Sequence, residues 1–190
     1  IVDSIPGLVV ALTPGGEVEF VNRQTVEYFG RPLQELKRWA ASDMAHPEDL
    51  PRVFECFTRS VASGDPFEFE VRARRHDGVY RWFHSRGFPL RDSHGRIVRW
   101  YNLLIDIDER KRAEEVLVAS ERKLKLIIDT TPALIWTTDP KGRIDSVNQH
   151  YVDYVGLPLE QMPGEGWEII HPEDLERLVE TWKAIIASGE

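Results

Sequence analysis

The stretch Asp106–Thr130, DIDERKRAEEVLVASERKLKLIIDT, decides how the rest of the chain is arranged. Small or apolar residues recur in it at alternating spacings of four and three, while charged residues occupy the other positions; the recurring set is Ala113, Leu117, Ser120, Leu124 and Ile127. This spacing predicts one exposed helix with a narrow apolar seam. A parallel two-stranded coiled coil would bury such a seam, and a solvated connector is the alternative.

The composition of the chain indicates a globular protein. It has 190 residues, of which 42% are hydrophobic and 29% charged, enough for one large domain or two small ones. No apolar run is long enough for a membrane span, so we expect no membrane contact by this segment. The net charge of −8 argues against nucleic-acid partners.

The ends and the cysteine content suggest the setting of the chain. Cys56 is the single cysteine, which excludes an internal disulfide and favours a reducing, cytoplasmic compartment. The chain begins at Ile1 rather than Met, so we expect a segment of a longer protein. A membrane anchor elsewhere in that protein would leave no trace here.

The sequence repeats itself on both sides of the predicted helix. Residues 1–36 align with 127–162 at 13 of 36 identical positions, and residues 46–65 align with 171–190 at 10 of 20. The pentapeptide HPEDL occurs in both copies of the second block. We therefore expect one complete module and the first half of a second.

The first half of the module predicts a hairpin and several helices. Residues 8–12 and 17–20 read as two strands joined by a Pro-Gly-Gly turn. Asn22 is a suitable N-cap for a short helix that ends at Gly30, and a further short helix is expected over 33–39. His46-Pro47 predicts the start of a longer helix that ends at Gly64. Its expected buried stripe is Leu50, Val53, Phe54, Phe57 and Val61.

The second half of the module predicts three long strands over residues 67–73, 80–89 and 97–107, separated by Gly-containing turns. With the first hairpin they make a five-stranded antiparallel sheet, one face of which the short helices cover, an α+β fold. The second copy ends before these strands, so we expect an unpaired or partner-borrowed edge on its hairpin, Leu134 to Val147.

Several motifs of the module resemble those of the PAS domain with its associated PAC segment. They are Asp3 to Pro6, Gly16 to Asn22, Tyr28-Phe29-Gly30, the HPED helix start, His76-Asp77-Gly78 before Tyr80-Arg81-Trp82, Pro89-Leu90-Arg91-Asp92 before Gly95, and Ile105 to Lys111. The last motif resembles the family's Asp-Ile-Thr-Glu-Arg-Lys exit, with Asp108 in place of Thr. A carboxylate can also cap a helix.

The resemblance implies a sensor fold with strand order 2-1-5-4-3, found upstream of histidine kinases and diguanylate cyclases. It implies a PAS/PAC sensory domain over 1–107, a connecting signalling helix over 108–126 and the N-terminal half of a second PAS domain over 127–190. The expected relay residues are Asp106, Asp108, Leu117, Leu124 and Ile127.

The cofactors of the family find little support in these residues. A LOV-type flavin sensor needs a reactive cysteine after the first helix, and 30–39 contains none. The position of the haem-binding histidine falls near Val53 in the first copy and Leu178 in the second. No His, Cys or carboxylate pair recurs at metal-ligand spacing. We therefore predict no haem, no flavin and no metal, and leave an unidentified small ligand open.

A small pocket is expected between the helices and the sheet. Asn22 or His84 would be its nearest polar groups, and the apolar and aromatic candidates near it are Tyr28, Val53, Phe57, Phe69, Trp82 and Trp100. The alternative is a filled core, since aromatic residues at these positions are also needed to pack a domain of this size. Asn22 or His84 pointing into a cavity would favour a ligand site.

These observations predict a sensory input and relay module of a signal-transduction protein, most simply a two-component sensor histidine kinase. The module would act as a homodimer through the connecting helix and the PAS faces, and it would feed a downstream output domain. A ligand-free dimerisation scaffold and the input module of a diguanylate cyclase are the alternatives. No catalytic constellation is recognisable, so we predict no enzyme activity within these residues.

Overall fold

The computed structural model describes residues 5–39, 43–140, 143–159 and 170–188. The chain forms two compact units, Ile1–Glu115 and Val116–Glu190. Their boundary falls within one long helix, so the two units are described separately.

The first unit is built on a five-stranded antiparallel sheet. Its strands are β1 (Leu8–Leu12), β2 (Val18–Val21), β3 (Phe67–Arg74), β4 (Tyr80–Arg91) and β5 (Ile97–Asp106). Their order is β2-β1-β5-β4-β3, which confirms the predicted topology. The long strands β4 and β5 pair along their whole length and form the centre of the sheet together with β1.

Three helices, α1 (Arg23–Phe29), α2 (Leu33–Leu36) and α3 (Leu50–Ser63), connect the hairpin to β3. As predicted, Asn22 caps α1 by accepting a hydrogen bond from the Thr25 N–H, and Gly30 ends it in the left-handed conformation. Helix α2 is shorter than predicted and ends at Leu36.

Helix α3 begins later than the sequence suggests. The prediction of a start at Pro47 was wrong, because the preceding backbone pairs with β3: the Arg74 N–H donates to the Met44 carbonyl at 2.7 Å and the His46 N–H to the Arg72 carbonyl at 2.8 Å. Phe54 was also misplaced in the buried stripe, since it is 54% exposed.

One face of the sheet packs against these helices. Side chains from this face and from the helices that cover it form two adjoining clusters, whose largest fully buried member is Trp100. The buried residues of the clusters are Leu12, Val18, Val21, Leu36, Met44, Phe67 and Trp100 in one, and Leu8, Ala45, Val53, Val71, Ala73 and Phe83 in the other. The sheet's other face carries Phe20, Tyr101 and Ile105 exposed.

Helix α4 (Asp108–Thr130) leaves β5 after a single residue, Ile107, as the sequence predicts. Leu117 and Leu124 of its seam are each 59% exposed. In the single chain, the residues of the seam are therefore exposed to solvent.

The second unit contains β6 (Trp136–Thr138), β7 (Ile144–Val147), α5 (Gln149–Val155) and α6 (Pro172–Ser188). Asn148 caps α5 and Gly156 ends it, so α5 has the same capping residues as α1. Strands β6 and β7 form a two-stranded sheet, and no third strand joins them within the described residues. Helix α6 begins at Pro172, as predicted for a His-Pro start.

Candidate functional site

A cavity of about 120 Å³ lies between the sheet and the helices of the first unit. Three of the predicted pocket residues, Val53, Phe57 and Phe69, line it. Most of the remaining lining is aliphatic or aromatic and comes from β1, β2, β3, β5, α1, α2 and the segment before α3: Val10, Leu12, Val18, Val21, Phe29, Leu36, Trp39, Met44, Ala45, Phe67, Val71, Ala73 and Leu104. A space of this size is close to the 150 Å³ or so that admits benzene in an engineered apolar cavity.

The polar groups of the cavity come from the two central strands and from α1. The Ser85 hydroxyl on β4 donates to Asn102 Oδ1 on β5 at 2.8 Å, and Ser85 is completely buried. Thr25 is the third polar lining residue, but its hydroxyl already donates to Asn22 Oδ1 at 2.6 Å. The Asn102 Nδ2 group donates to no residue in the described part of the chain. No charged side chain is among the lining residues of this cavity.

Asn22, one of the two predicted polar groups, does not line the cavity. Its Oδ1 accepts from the backbone N–H groups of Val9 and Thr25, each at 3.1 Å, and its Nδ2 donates to the Gly7 carbonyl at 3.0 Å. The Asn22 side-chain amide is thus fully hydrogen-bonded to the backbone and joins β1 to α1. Asn148 makes the same type of bonds to Ile135 and Tyr151 in the second unit, which gives the repeated asparagine a structural role in both copies.

His84 and Trp82 do not line the cavity either, because they alternate onto the opposite face of β4. His84 Nε2 lies 2.7 Å from the Glu68 carboxylate. Two cations lie over the Trp82 ring: the Arg72 guanidinium and the Lys111 ammonium are each 5.3 Å from its centroid. Their in-strand neighbours Phe83 and Ser85 face the helices instead.

Tyr28 and Trp100 are on the helix-covered side without lining the cavity. The Tyr28 hydroxyl donates to the Ala73 carbonyl at 3.0 Å, and its ring packs edge-on against Phe83. Burial, reinforced by the nearby Asp106, raises the pKa of the Tyr28 phenol. Trp100 packs beside Phe67, and its indole N–H has no hydrogen-bond partner among the described residues.

The polar pair Ser85 and Asn102 was missed at the sequence level. Each lies on the same face of its strand as large side chains. Ser85 is two residues after Phe83, and Asn102 is two residues from both Trp100 and Leu104. A polar residue within the apolar phase of a buried strand was the signal that could have identified them.

The start of α4 is attached to β4 through the predicted relay residues Asp106 and Asp108. The buried Asp108 accepts the Trp82 N–H through Oδ1 at 3.2 Å, and the Ile107 N–H donates to the Trp82 carbonyl at 2.9 Å. The Arg81 guanidinium reaches Asp106 Oδ2 at 3.0 Å and Asp108 Oδ2 at 3.5 Å. These contacts fix the direction in which the helix leaves the sheet.

A second group of contacts holds the first turn of α4 against the open face of the sheet. The Glu70 carboxylate on β3 pairs with Arg110 and Lys111, each at 2.6 Å. These pairs lower the pKa of Glu70, with the Lys111 hydrogen bond as the largest contribution. Because Lys111 also lies over Trp82, the helix contacts β3 and β4 together.

The beginning of α3 is joined to β3 by a partly buried ion pair between Asp49 and Arg72. Asp49 Oδ2 accepts from both the backbone N–H and the Nε of Arg72, at 2.9 and 3.0 Å, and Asp49 Oδ1 accepts from Arg72 Nη2 at 2.8 Å. This pair sets the position of α3, which carries Val53 and Phe57 into the cavity wall.

Metal clusters and membrane-spanning helices are both absent from the described residues. The described residues contain no cluster of three or more His, Cys, Asp or Glu side chains that could hold a metal ion. Over the same residues, none of the helices combines the length and the apolar character that a membrane span requires.

Comparison with family models identifies both units. The model described as "PAS fold" matches residues 18–103, and the model described as "PAS domain" matches residues 122–186. The first match contains most of the residues that line the cavity, and the two matches lie on either side of the middle of α4.

Curated relatives resemble most of the chain but are much longer. The chain is 34% identical over 162 residues to the uncharacterized protein y4lL of Sinorhizobium fredii, a match that covers 85% of this chain and 20% of that protein. It is 33% identical over 174 residues to the peroxide stress-activated histidine kinase mak1 of Schizosaccharomyces pombe, covering 88% of this chain and 11% of the kinase. The chain thus spans a fifth or less of these two relatives.

A solved structure is similar to a large part of the chain. The sensory box histidine kinase/response regulator of Burkholderia thailandensis E264 matches 65% of this chain and 94% of its own, at 26% identity and a TM-score of 0.50. Together with the two family matches and the strand order of the first unit, this similarity shows that the chain belongs to the PAS domain family and carries two PAS domains in tandem.

Proposed function

We propose that this chain is the sensory input and relay segment of a sensor histidine kinase. Its first PAS domain would bind a small ligand in the interior cavity, and α4 would carry the resulting change to the second PAS domain and to an output domain. The similarity to mak1 and to the Burkholderia sensory kinase supports the choice of a kinase as the parent protein. The proposed location is the cytoplasm, and the proposed domain bounds remain 1–107, 108–126 and 127–190.

One observation carries the sensing proposal: the cavity and the start of α4 share the same two strands. Ser85 lies three residues from Trp82 on β4, and Asn102 lies four residues from Asp106 on β5. A ligand that moves the Ser85–Asn102 pair would therefore act on the strands that hold Asp108 and Ile107. A ligand shifts a conformational equilibrium only if it binds one conformation of the protein more tightly than the other. The Ser85–Asn102 pair is where this difference in affinity would arise.

The relay would use α4 in a homodimer. Two copies of the exposed seam at Leu117, Leu124 and Ile127 would cover each other in a parallel coil, and a change at Asp106 and Asp108 would alter the rotation or register of that coil. We propose no haem and no LOV-type flavin, because the cavity lining contains neither histidine nor cysteine.

A native mass spectrum of the purified chain, compared with its denatured mass, tests the sensing proposal. Extra mass on the native species alone is expected. Its amount should fall in Val71→Ile, which adds a methyl group at the cavity wall, and stay constant in Val9→Ile, a buried residue of β1 outside the cavity lining. A wild-type chain free of extra mass, whose dimer is also insensitive to added small molecules, would instead favour a ligand-free dimerisation scaffold.

The relay is tested by crosslinking. In a Cys56→Ser background, a cysteine introduced as Leu117→Cys or Leu124→Cys reports the distance between two copies of α4. Disulfide yields that change when the cavity is occupied are expected. Yields that stay equal with the cavity empty and filled would contradict a relay through this helix.

A further inference from the structure

The chemistry of the cavity lining restricts the ligand. We infer that the cavity of the first PAS domain takes a small, neutral, mostly apolar molecule that carries one hydrogen-bond acceptor, and that Asn102 selects this acceptor. This inference rests on the proposed ligand-sensing function and specifies the chemical class of its ligand.

The lining excludes a charged ligand. The cavity wall contains no Lys, Arg, His, Asp or Glu among its described residues, and most of its surface is aliphatic or aromatic. A charge moved from water into such a space would lose its hydration without gaining a counter-ion. Neutral molecules pay no such cost and gain from the apolar contacts.

The polar lining favours an acceptor over a donor. The Ser85 hydroxyl gives its hydrogen to Asn102 Oδ1, which leaves the Asn102 Nδ2 hydrogens as the available donors of this pair. Asn102 is partly buried, and these N–H groups donate to no described residue. A carbonyl or ether oxygen of a ligand would satisfy them.

The volume of the cavity limits the size of the ligand. Asn102 pairs across the sheet with Gly87 on one side and with Val10, which also lines the cavity, on the other. The cavity of about 120 Å³ would hold about six or seven non-hydrogen atoms, by comparison with benzene in an engineered cavity of about 150 Å³. Ring or short-chain ketones of this size combine the apolar body with the single acceptor.

A matched pair of probes tests the role of Asn102. Cyclopentanone and methylenecyclopentane have the same ring and the same number of non-hydrogen atoms, but only the ketone has an acceptor. In titrations of the full chain followed by NMR, we expect the ketone to bind about tenfold more tightly, as one net hydrogen bond predicts. The Asn102 side-chain amide signals should shift with the ketone and remain unchanged with the hydrocarbon.

Variants complete the test. Asn102→Leu should reduce the affinity ratio to about one, whereas Tyr101→Phe, which removes a hydroxyl from the opposite face of β5, should keep it. Equal wild-type affinities for the two probes, both weakened by Val71→Ile, would overturn the selection by Asn102 and leave the ligand-sensing proposal standing. Absence of binding by both probes would also overturn this inference, while the native mass spectrum, which requires no chosen probe, decides the sensing proposal independently. The Asn102 signals of the wild type make the test valid even if Asn102→Leu fails to fold.

Discussion

The ring of Phe67 occupies the space that a side chain at Gly87 would need. The two residues face each other across the β3–β4 pair, and a Cβ placed on Gly87 would overlap the Phe67 ring atoms. Phe67 also packs edge-on against Phe57 of α3 and stacks on Phe69. The glycine therefore lets an aromatic residue of the cavity wall lie against the sheet.

Gly87→Ala is expected to destabilise the chain by about 2 kcal/mol or more, because the Phe67 ring must move into a packed interior. Gly15→Ala is the matched control, since its Cβ would meet only the Thr13 hydroxyl at 3.9 Å. Urea unfolding of both variants measures the difference. Phe67→Leu should reduce the cost of Gly87→Ala; a cost that is unchanged in that background would show that the overlap is not its cause.

Asp49→Asn is expected to destabilise the fold in a pH-dependent manner. Burial of Asp49 favours its neutral form, but the hydrogen bonds from Arg72 outweigh this effect, so the pKa of Asp49 lies below its usual value of 3.8. A lowered folded-state pKa contributes stability that is present above the unfolded pKa and is lost as the pH falls through the folded one.

Thermal melts of wild type and Asp49→Asn between pH 2 and 7 measure this contribution. The wild type should be more stable by about 2 kcal/mol near neutral pH, as for a buried pair that loses its charge. The difference should narrow below about pH 3.8. A constant difference across the range would mean that the substitution acts through packing rather than through the ion pair.

Most of the fold follows from the sequence because its signals are local. Asn22 and Gly30 mark the ends of α1, the alternation in β3 defines its two faces, and the turns separate the long strands. The start of α3 could not be read in this way. It depends on backbone hydrogen bonds from the preceding segment to β3, which is distant in the sequence.

The cavity residues were predicted less well for a related reason. Strand β4 places aromatic residues on both faces, Trp82 on one and Phe83 on the other, so its alternation does not reveal which face the helices cover. Asn22 looked available from the sequence but is fully engaged with the backbone. Asn102 was not among the candidates from the sequence, although it lines the cavity.

Val71→Ile is expected to stabilise the wild-type chain, because the added methyl group can occupy part of the cavity. Filling an existing cavity commonly contributes about 0.5 kcal/mol or more. The same substitution at Val9, which is buried but does not line the cavity, should be neutral or destabilising. Urea midpoints of the two variants give the comparison, and a loss of stability in Val71→Ile would indicate that the cavity cannot accept the methyl group.

Asp108→Ala is expected to loosen the start of α4. The substitution leaves the Trp82 N–H without its acceptor and removes a partner of Arg81. The expected cost is about 1 to 3 kcal/mol, with faster hydrogen exchange in the first turns of α4. Glu109→Ala is the control, because this neighbouring side chain is exposed. Equal exchange rates in the two variants would show that Asp108 does not hold the helix.

Leu124→Lys is expected to dissociate the proposed homodimer. Leu124 lies on the seam with Leu117 and is 59% exposed in the single chain. A parallel coil would bury both leucines, and a lysine at that position would bring two ammonium groups together across the interface. Val118→Lys introduces the same charge one residue beyond Leu117 and off the seam, so it should leave the dimer intact. Sedimentation velocity over a range of concentrations distinguishes these outcomes. Dissociation by Val118→Lys alone would place the interface on another face of α4. A monomeric wild type would contradict a relay through a coiled coil.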